Sequence, residues 1–430
     1  MSQFKKSILS NGVRVVSEFH PHSKSVSLGV WVLTGTRDEK PDEIGLSHFV
    51  EHLVFKGTKK RNAYQIAKSL ESLGGELNAY TTREYTNYHA IVLNDDWKVG
   101  LEVLSDLVCN MKISKKDFEL EKKVVLQEIA MSDDSPEDII YDYLYEHSYA
   151  NHPMGRQILG KSDTISKMTQ KKVFDFYKTF YQGENLIVSA AGPVDHDALV
   201  IEAQKLFKTR KKFNLADSRR APIWKKARKF YDDDSEQTHI LMALPAASFH
   251  DKHRFEAFIV NSLIGGGMTS KLYQAVREKQ GLAYSVYSGL NTQTDSGNIT
   301  IYAATDPKKV KKVIQIIHDE LLAIKKEGIK KSDLNLFKTQ VRGQLLMGSE
   351  DSENRMSSLG VNEMIFQEYR PVDRVIREIE AIDQKSVNDY IKNYFDLDKM
   401  SVILMGPKAS ENKSWLTQHN FSQKRIQKRK

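Results

Sequence analysis

The chain has 430 residues, 40% of them hydrophobic and 28% charged, with a net charge of +8. That length exceeds one ordinary hydrophobic core and predicts at least two domains, while the composition is that of a folded globular protein and excludes a fibrous or disordered chain. A single cysteine, Cys109, excludes an intrachain disulfide and favours a reducing compartment, and the lack of any run of 18 apolar residues excludes a membrane-spanning helix.

Val13 to Glu18 and Val26 to Leu33 alternate or run apolar with β-branched residues and are predicted strands. Helical periodicity follows through residues 43 to 56 and 63 to 73. Gly74-Gly75 then punctuates the chain before a strand from Glu76 to Thr82, a strand over 86–93 and a helix over 96–111. Long helices are predicted over 115–132 and 136–148, and a strand ends at Gly192-Pro193.

The first helix carries His48-Phe49-Val50-Glu51-His52. Residues four apart on a helix lie about 40° apart around its axis and residues three apart about 60°, so His48, Glu51 and His52 share one face. Two imidazoles so placed hold a zinc ion while the carboxylate reaches a water on it, and the spacing is that of an inverted zinc-protease motif. A catalytic zinc takes three protein ligands, so a further carboxylate is required. Glu121 and Glu128 are nearly two helical turns apart and face the same way. Glu128 precedes the apolar Ile129-Ala130-Met131, and a partly buried carboxylate wants a partner such as zinc. His89, the main competing histidine, sits in Tyr88-His89-Ala90-Ile91-Val92 and reads as a strand residue.

Between Val124 and Gly155 there is no Lys or Arg but there are seven acids; two of them, Asp138 and Asp142, share a helix face. From Lys208 to Lys229 the pattern inverts, with ten basic residues and one acid, and the tail from Lys424 adds five more. No aromatic-interleaved basic motif of the nucleic-acid-binding kind accompanies either run, so they read as a solvated linker and a frayed end.

On either side of that linker the chain repeats. Asn185 to Pro193 resembles Met400 to Pro407, and the same offset of 214 pairs Ile165 with Ile379, Val173 with Val387 and Lys178 with Lys392. This predicts two copies of one α+β unit of about 210 residues. The expected organisation is a domain over 1–209, a basic linker over 210–229, a second domain over 230–420 and a basic tail over 421–430. At an offset of 210, Val50 to Val54 corresponds to Val260 to Ile264 and His48 becomes Phe258, so the second copy keeps the helix and loses the metal set.

These motifs resemble the M16 zinc metallopeptidases, the family of mitochondrial processing peptidase, insulin-degrading enzyme and pitrilysin. The resemblance covers nearly the whole chain and is nearest the short, processing-peptidase-like branch; His48 through Thr58 matches the family signature closely. It implies a LuxS/M16-like metallohydrolase fold, two homologous α+β domains, each an antiparallel-rich sheet packed with helices. It implies one zinc held by His48, His52 and Glu128, Glu51 as general base, and Glu121 as a supporting carboxylate that does not ligate. The strand holding Asn78, Ala79 and Tyr80 matches the family's substrate-binding edge, to which an extended peptide adds as a further strand. Arg277 and Tyr284 are implied to bind a substrate carbonyl and to stabilise the oxyanion; taken alone they read as a surface ion pair and a core tyrosine. Gly265-Gly266-Gly267 looks like the family's glycine-rich loop, and no Lys-Ser/Thr follows it in the spacing of a phosphate-binding loop. Asp138 and Asp142 fall where processing peptidase reads a basic residue, which predicts a preference for basic peptides against the plainer reading of a solvated face.

Zinc residues, the Arg–Tyr pair and the triple glycine share one chain, which predicts a self-sufficient homodimer enclosing a chamber. The expected function is a zinc endopeptidase acting on peptides or unfolded protein segments, with no nucleic-acid partner. The competing readings are a structural subunit, like the core proteins of the respiratory bc1 complex, and an enzyme dependent on an inactive homologous partner; intact His48, Glu51, His52 and Glu128 favour catalysis. The start from Met1 to Gly12 holds no apolar run long enough for a signal peptide, so bacterial cytoplasm is the expected compartment.

Overall fold

The computed structural model describes residues 3–209 and 219–421; residues 210–218 of the expected linker and 422–430 of the expected tail lie outside the described residues. Strands β1 (Gln3–Ile8), β2 (Arg14–Phe19), β3 (Ser25–Val32), β4 (Glu76–Thr81), β5 (Thr86–Leu93) and β6 (Leu186–Gly192) form one sheet in the order β1-β2-β6-β3-β5-β4. Strands β7 (Arg228–Asp232), β8 (Thr238–Pro245), β9 (Ala283–Thr292), β10 (Gly297–Thr305) and β11 (Ser401–Gly406) form the other, in the order β7-β11-β8-β10-β9. Among the described strands only β2–β6 and β7–β11 pair in parallel, so both sheets are antiparallel-rich. Central strands such as β3 and β6 are buried almost end to end, whereas the edge strand β4 alternates between exposed and half-buried positions.

The first helices are α1 (Leu46–Val54), α2 (Ala63–Glu71), α3 (Trp97–Cys109), α4 (Lys115–Asp133), α5 (Pro136–Ser148), α6 (Ser162–Ser166), α7 (Gln170–Phe180) and α8 (His196–Leu206). After β8 come α9 (Arg254–Gly265), α10 (Val310–Glu327), α11 (Lys331–Gly348), α12 (Ser352–Ile365), α13 (Val372–Glu380), α14 (Gln384–Tyr394) and α15 (Lys413–Gln418). The repeat is visible element by element: β2-β6-β3-β5-β4 runs in the same order as β7-β11-β8-β10-β9, and α7 and α14 keep the 214-residue offset at both ends. The expected helix from residue 43 starts instead at Leu46, because Gly45 is left-handed at φ 91°. β1 is a short edge strand with no sustained apolar alternation, so periodicity does not predict it.

The compact units are not contiguous in sequence. The first comprises the described residues up to Met131, Arg156–Arg220 and Leu346–Val372; the second comprises Ser132–Gly155, Ala221–Leu345 and the described residues from Asp373 onward. Helix α5 therefore belongs with the second sheet, where Ile139, Ile140 and Leu144 pack on Leu241, Tyr302 and Ile403. Its counterpart α12 belongs with the first sheet, where Met356 and Leu359 pack on Val16, Trp31 and Ile187. Close approach there depends on two glycines: a Cβ on Gly360 would strike the Trp31 ring, and one on Gly29 would strike Met356 Sδ. The expected linker is not uniformly solvated either, since Arg219 joins the first unit and pairs with Asp38 at 2.6 Å.

A buried ion pair holds α12 in place. Arg355 donates to Glu18 of β2, and His20 lies 3.4 Å from the other Glu18 oxygen. Burial pushes the Glu18 carboxyl up, but the His20 hydrogen bond and the Arg355 charge outweigh it and bring it from 4.5 down to about 2. A carboxyl depressed in the folded state stabilises the fold above its ordinary range and loses that contribution as pH falls toward its folded value. The melting temperature of wild type is therefore expected to exceed that of Glu18→Gln at pH 7, with the gap closing between about pH 4.5 and pH 2. A gap that stays constant across that window would refute the coupling.

Candidate metal centre

Helix α1 is amphipathic. Leu46, Phe49, Val50, Leu53 and Val54 are fully buried in the core of the first unit, and the opposite face presents His48, Glu51 and His52. Helix α4 runs alongside, anchored by Phe118, Val125 and Ile129, and points Glu121 and Glu128 at the same place.

Three donor atoms converge there. His48 Nε2 and His52 Nε2 are 3.2 Å apart, and Glu128 Oε2 lies 3.3 Å from the His52 nitrogen and 3.9 Å from that of His48. Tetrahedral zinc with bonds of about 2.0–2.1 Å spaces its ligands about 3.4 Å apart, so the triangle fits the ion. Among the described residues, His48, His52 and Glu128 are the one group of metal-ligating side chains gathered this closely.

Protonation states fit as well. Burial, and then the charge of His52, push the His48 imidazole down to about 3, leaving it neutral with a lone pair to share. Burial also pulls His52 down, but the hydrogen bond to Glu121 and the charges of Glu128, Glu51 and Glu121 reverse the direction, so this corner attracts positive charge. The Glu121 contact, 2.9 Å from His52 Nδ1, assigns the ring proton to Nδ1 and leaves Nε2 free to ligate. Burial raises the Glu121 carboxyl, but its hydrogen bonds with His52 and Lys56 bring it below the ordinary range. Lys56 Nζ stands 2.7 Å from Glu121 Oε2.

Glu51 sits beside the triangle, 9% exposed, with Thr81 of β4 donating to its Oε2. Burial raises its carboxyl and Glu128 adds to the rise, against the Thr81 hydrogen bond and the His52 charge. Lys56 and Thr81 were absent from the sequence-based site. Lys56 is four residues past His52, one helical turn on, which is the signal that points to it. Thr81 carries no signal outside its fold, because only strand pairing brings it under Glu51.

The strand holding Asn78, Ala79 and Tyr80 is an outermost strand, paired with β5 on one side alone. Asn78 Oδ1 accepts from Ala79 N at 2.8 Å, and the Tyr80 ring packs edge-on against Trp31. A groove of about 520 Å³ runs beside it, lined by Phe55, Ile66, Leu70, Leu77 and Asn78. His89 lies in β5, bound to Asn87 and Glu353 and not to the triangle.

In the second unit, Arg277 lies in a π-helical turn, Tyr273–Glu278, with its guanidinium 4.5 Å over the Tyr284 ring and 5.0 Å over that of Tyr273. Tyr284 is 77% exposed and so is not a core residue; Arg277 has no carboxylate partner among the described residues. Of Gly265, Gly266 and Gly267, none is left-handed; Gly265 is required because a Cβ there would stand 2.5 Å from Ser288 N. Asp138 lies in the first turn of α5 and accepts from Ser135 Oγ at 2.7 Å, with Asp142 one turn on, both within the second unit. Among the described residues no helix is long and apolar enough to cross a membrane.

Residues 14–162 match the family described as Insulinase (Peptidase family M16), and residues 167–341 match the Peptidase M16 inactive domain. An uncharacterized zinc protease of Mycobacterium bovis is 36% identical over 416 residues, 95% of this chain and 94% of that protein. One of Bacillus subtilis is 32% identical over 406 residues, 94% and 99% of the two chains. A protease from Helicobacter pylori superposes with a TM-score of 0.87 at 21% identity over 95% of this chain and 100% of that one. A peptidase M16 inactive domain from Pseudomonas fluorescens does so at 0.87 and 18% identity, over 94% and 98%. At such identities the likeness is one of fold.

Replacing the carboxylate that orients His52 is expected to weaken the metal. Glu121→Gln should lower zinc affinity about 10–100-fold in a chelator competition, with the fold retained. Unchanged affinity would remove Glu121 from the centre.

Proposed function

The chain belongs to peptidase family M16, and from that premise we propose that it is a zinc-dependent endopeptidase for peptides or unfolded protein segments. The observation that carries this reading is the convergence of His48, His52 and Glu128 on one point with the buried Glu51 carboxylate beside it. When bound there, zinc supplies Lewis acidity, lowering the pKa of water and polarising a peptide carbonyl. Glu51 takes the proton of the attacking water and passes it to the leaving amine nitrogen. Thr81 occupies Glu51 Oε2 and so leaves Oε1 for that transfer. The raised proton affinity that burial gives Glu51 suits both halves of the task.

The substrate is proposed to add as a strand to the outer edge of β4, along Asn78, Ala79 and Tyr80, with side chains received by the adjoining groove. Main-chain pairing of this kind makes little demand on sequence. Arg277 is proposed to bind a substrate carbonyl and the Tyr284 hydroxyl to stabilise the oxyanion, a reading supported by their mutual stacking and the exposure of Tyr284. The Gly265–Gly267 loop is included on the resemblance. Asp138 and Asp142 are proposed to favour basic peptides, and the protein is proposed to act as a homodimer enclosing a chamber, in bacterial cytoplasm.

The deciding experiment is cleavage of a quenched-fluorescent Arg-rich peptide by wild type and Glu51→Gln, with zinc assayed in both. Cleavage by wild type alone, with about one zinc per chain in each protein, is the expected result. Zinc without cleavage would favour a partner-dependent subunit; neither zinc nor cleavage would favour a structural one. In the same assay, Asp138→Asn with Asp142→Asn should slow cleavage of Arg-containing peptides and spare neutral ones, and an equal loss on both would overturn the basic preference. Sedimentation of the active protein should give the mass of two chains; a fully active single chain would sink the dimer.

A further inference from the structure

Helix α1 begins without a capping side chain of its own. Its N-cap is Gly45, left-handed, and a Cβ there would stand 2.6 Å from Gly160 Cα and 2.7 Å from the Leu159 carbonyl oxygen. Neither the backbone angle nor the space admits the Ser, Thr, Asp or Asn that ordinarily caps a helix. The first N–H groups of the helix need acceptors all the same.

Glu39 supplies them from outside the helix. Its Oε2 accepts from Gly45 N at 2.9 Å and its Oε1 from Ser47 N at 2.7 Å. The side chain is deeply buried, the residue being 4% exposed, and Arg156 donates to the Glu39 backbone carbonyl. Burial pushes the carboxyl up to about 8, and the hydrogen bonds from Ser47 and Gly45, with the Arg156 charge, offset that only in part. Both oxygens accept backbone N–H groups of the first turn, the donors that a helix start leaves without partners. The segment is clamped at its preceding residues, Arg37 to Glu84 at 2.7 Å and Asp38 to Arg219 at 2.6 Å.

His48 is the third residue of α1, in the turn this carboxylate holds. His52 is oriented by Glu121, but His48 Nδ1 is buried with no hydrogen-bond partner among the described residues. The place of His48 is therefore set by the backbone of that turn and by packing. We propose that Glu39 is a positioning residue of the metal centre: by accepting the Gly45 and Ser47 amides it fixes the first turn of α1 and so holds His48 Nε2 in the triangle with His52 and Glu128. The proposal rests on the zinc reading of that triangle.

The test uses the full chain with Glu39→Gln, which keeps the volume but turns an NH₂ group toward a backbone donor, and with Glu39→Asp, which keeps the carboxyl group. Amide hydrogen exchange over residues 46–49 is measured in the metal-free proteins, with α3 as internal reference, and zinc affinity by chelator competition. In Glu39→Gln the first turn should exchange roughly tenfold faster or more, the loss of one buried hydrogen bond, while α3 is unchanged. Zinc affinity should fall about 10–100-fold, and Glu39→Asp should recover part of both losses. Wild-type exchange and affinity in Glu39→Gln would overturn the proposal, as would losses that appear equally in α3 and so report global destabilisation. Should Glu39→Gln not fold, the same comparison is made on Glu39→Asp, whose shorter side chain reaches fewer of the two amides. A wild type that binds no zinc would defeat the metal reading by itself, and the exchange comparison would still decide whether Glu39 holds the turn.

Discussion

The centre depends on one short helix satisfied on two incompatible faces. Nine residues are too few for a helix to stand alone in water. Helix α1 exists because Leu46, Phe49, Val50, Leu53 and Val54 are fully buried, each such side chain contributing about 1.5–3 kcal/mol. The same burial strips water from His48 and Glu51 on the far side, which is costly unless each polar group has a partner. The partners come from every direction: Thr81 from an edge strand, Glu121 and Glu128 from α4, Lys56 from the next turn of chain. The surrounding architecture is largely the means of delivering those groups to one helix face.

Much of this was legible because helical periodicity turns sequence spacing into direction. His48, Glu51 and His52 are three and four apart, so a shared face follows from geometry alone, and Glu121 and Glu128 obey the same arithmetic on α4. Local alternation likewise located β2 through β5 to within a residue or two. The groups that escaped are joined to the site through tertiary contacts. Thr81 reaches Glu51 across a strand-to-helix packing contact, and Glu39 reaches the first turn of α1 from the loop before it. No spacing rule encodes a side chain that stands in for a cap six residues away.

The second copy shows what remains of such a helix when its chemistry is removed. Helix α9 buries Ala257, Val260, Leu263 and Ile264 as α1 buries its own apolar stripe, but presents Phe258, Asn261 and Ser262 where α1 has His48, Glu51 and His52. Phe258 is 42% exposed, against 9% for His48. Packing constraints on the two copies have stayed alike while the constraints on the polar face have separated. For that reason the duplication is readable in the apolar residues of the two helices and invisible at the three positions of the polar face.

The placement of α5 and α12 bears on where the chain can be divided. Each sheet completes one of its packed faces with a helix encoded in the other half of the chain, Ile140 and Leu144 for one, Met356 and Leu359 for the other. A fragment ending in the 210–218 segment would carry α5 without the sheet it covers and would leave Trp31 and Ile187 bare. Each half of the sequence thus lacks a helix that its own sheet packs against, so a cut between the halves leaves both incomplete.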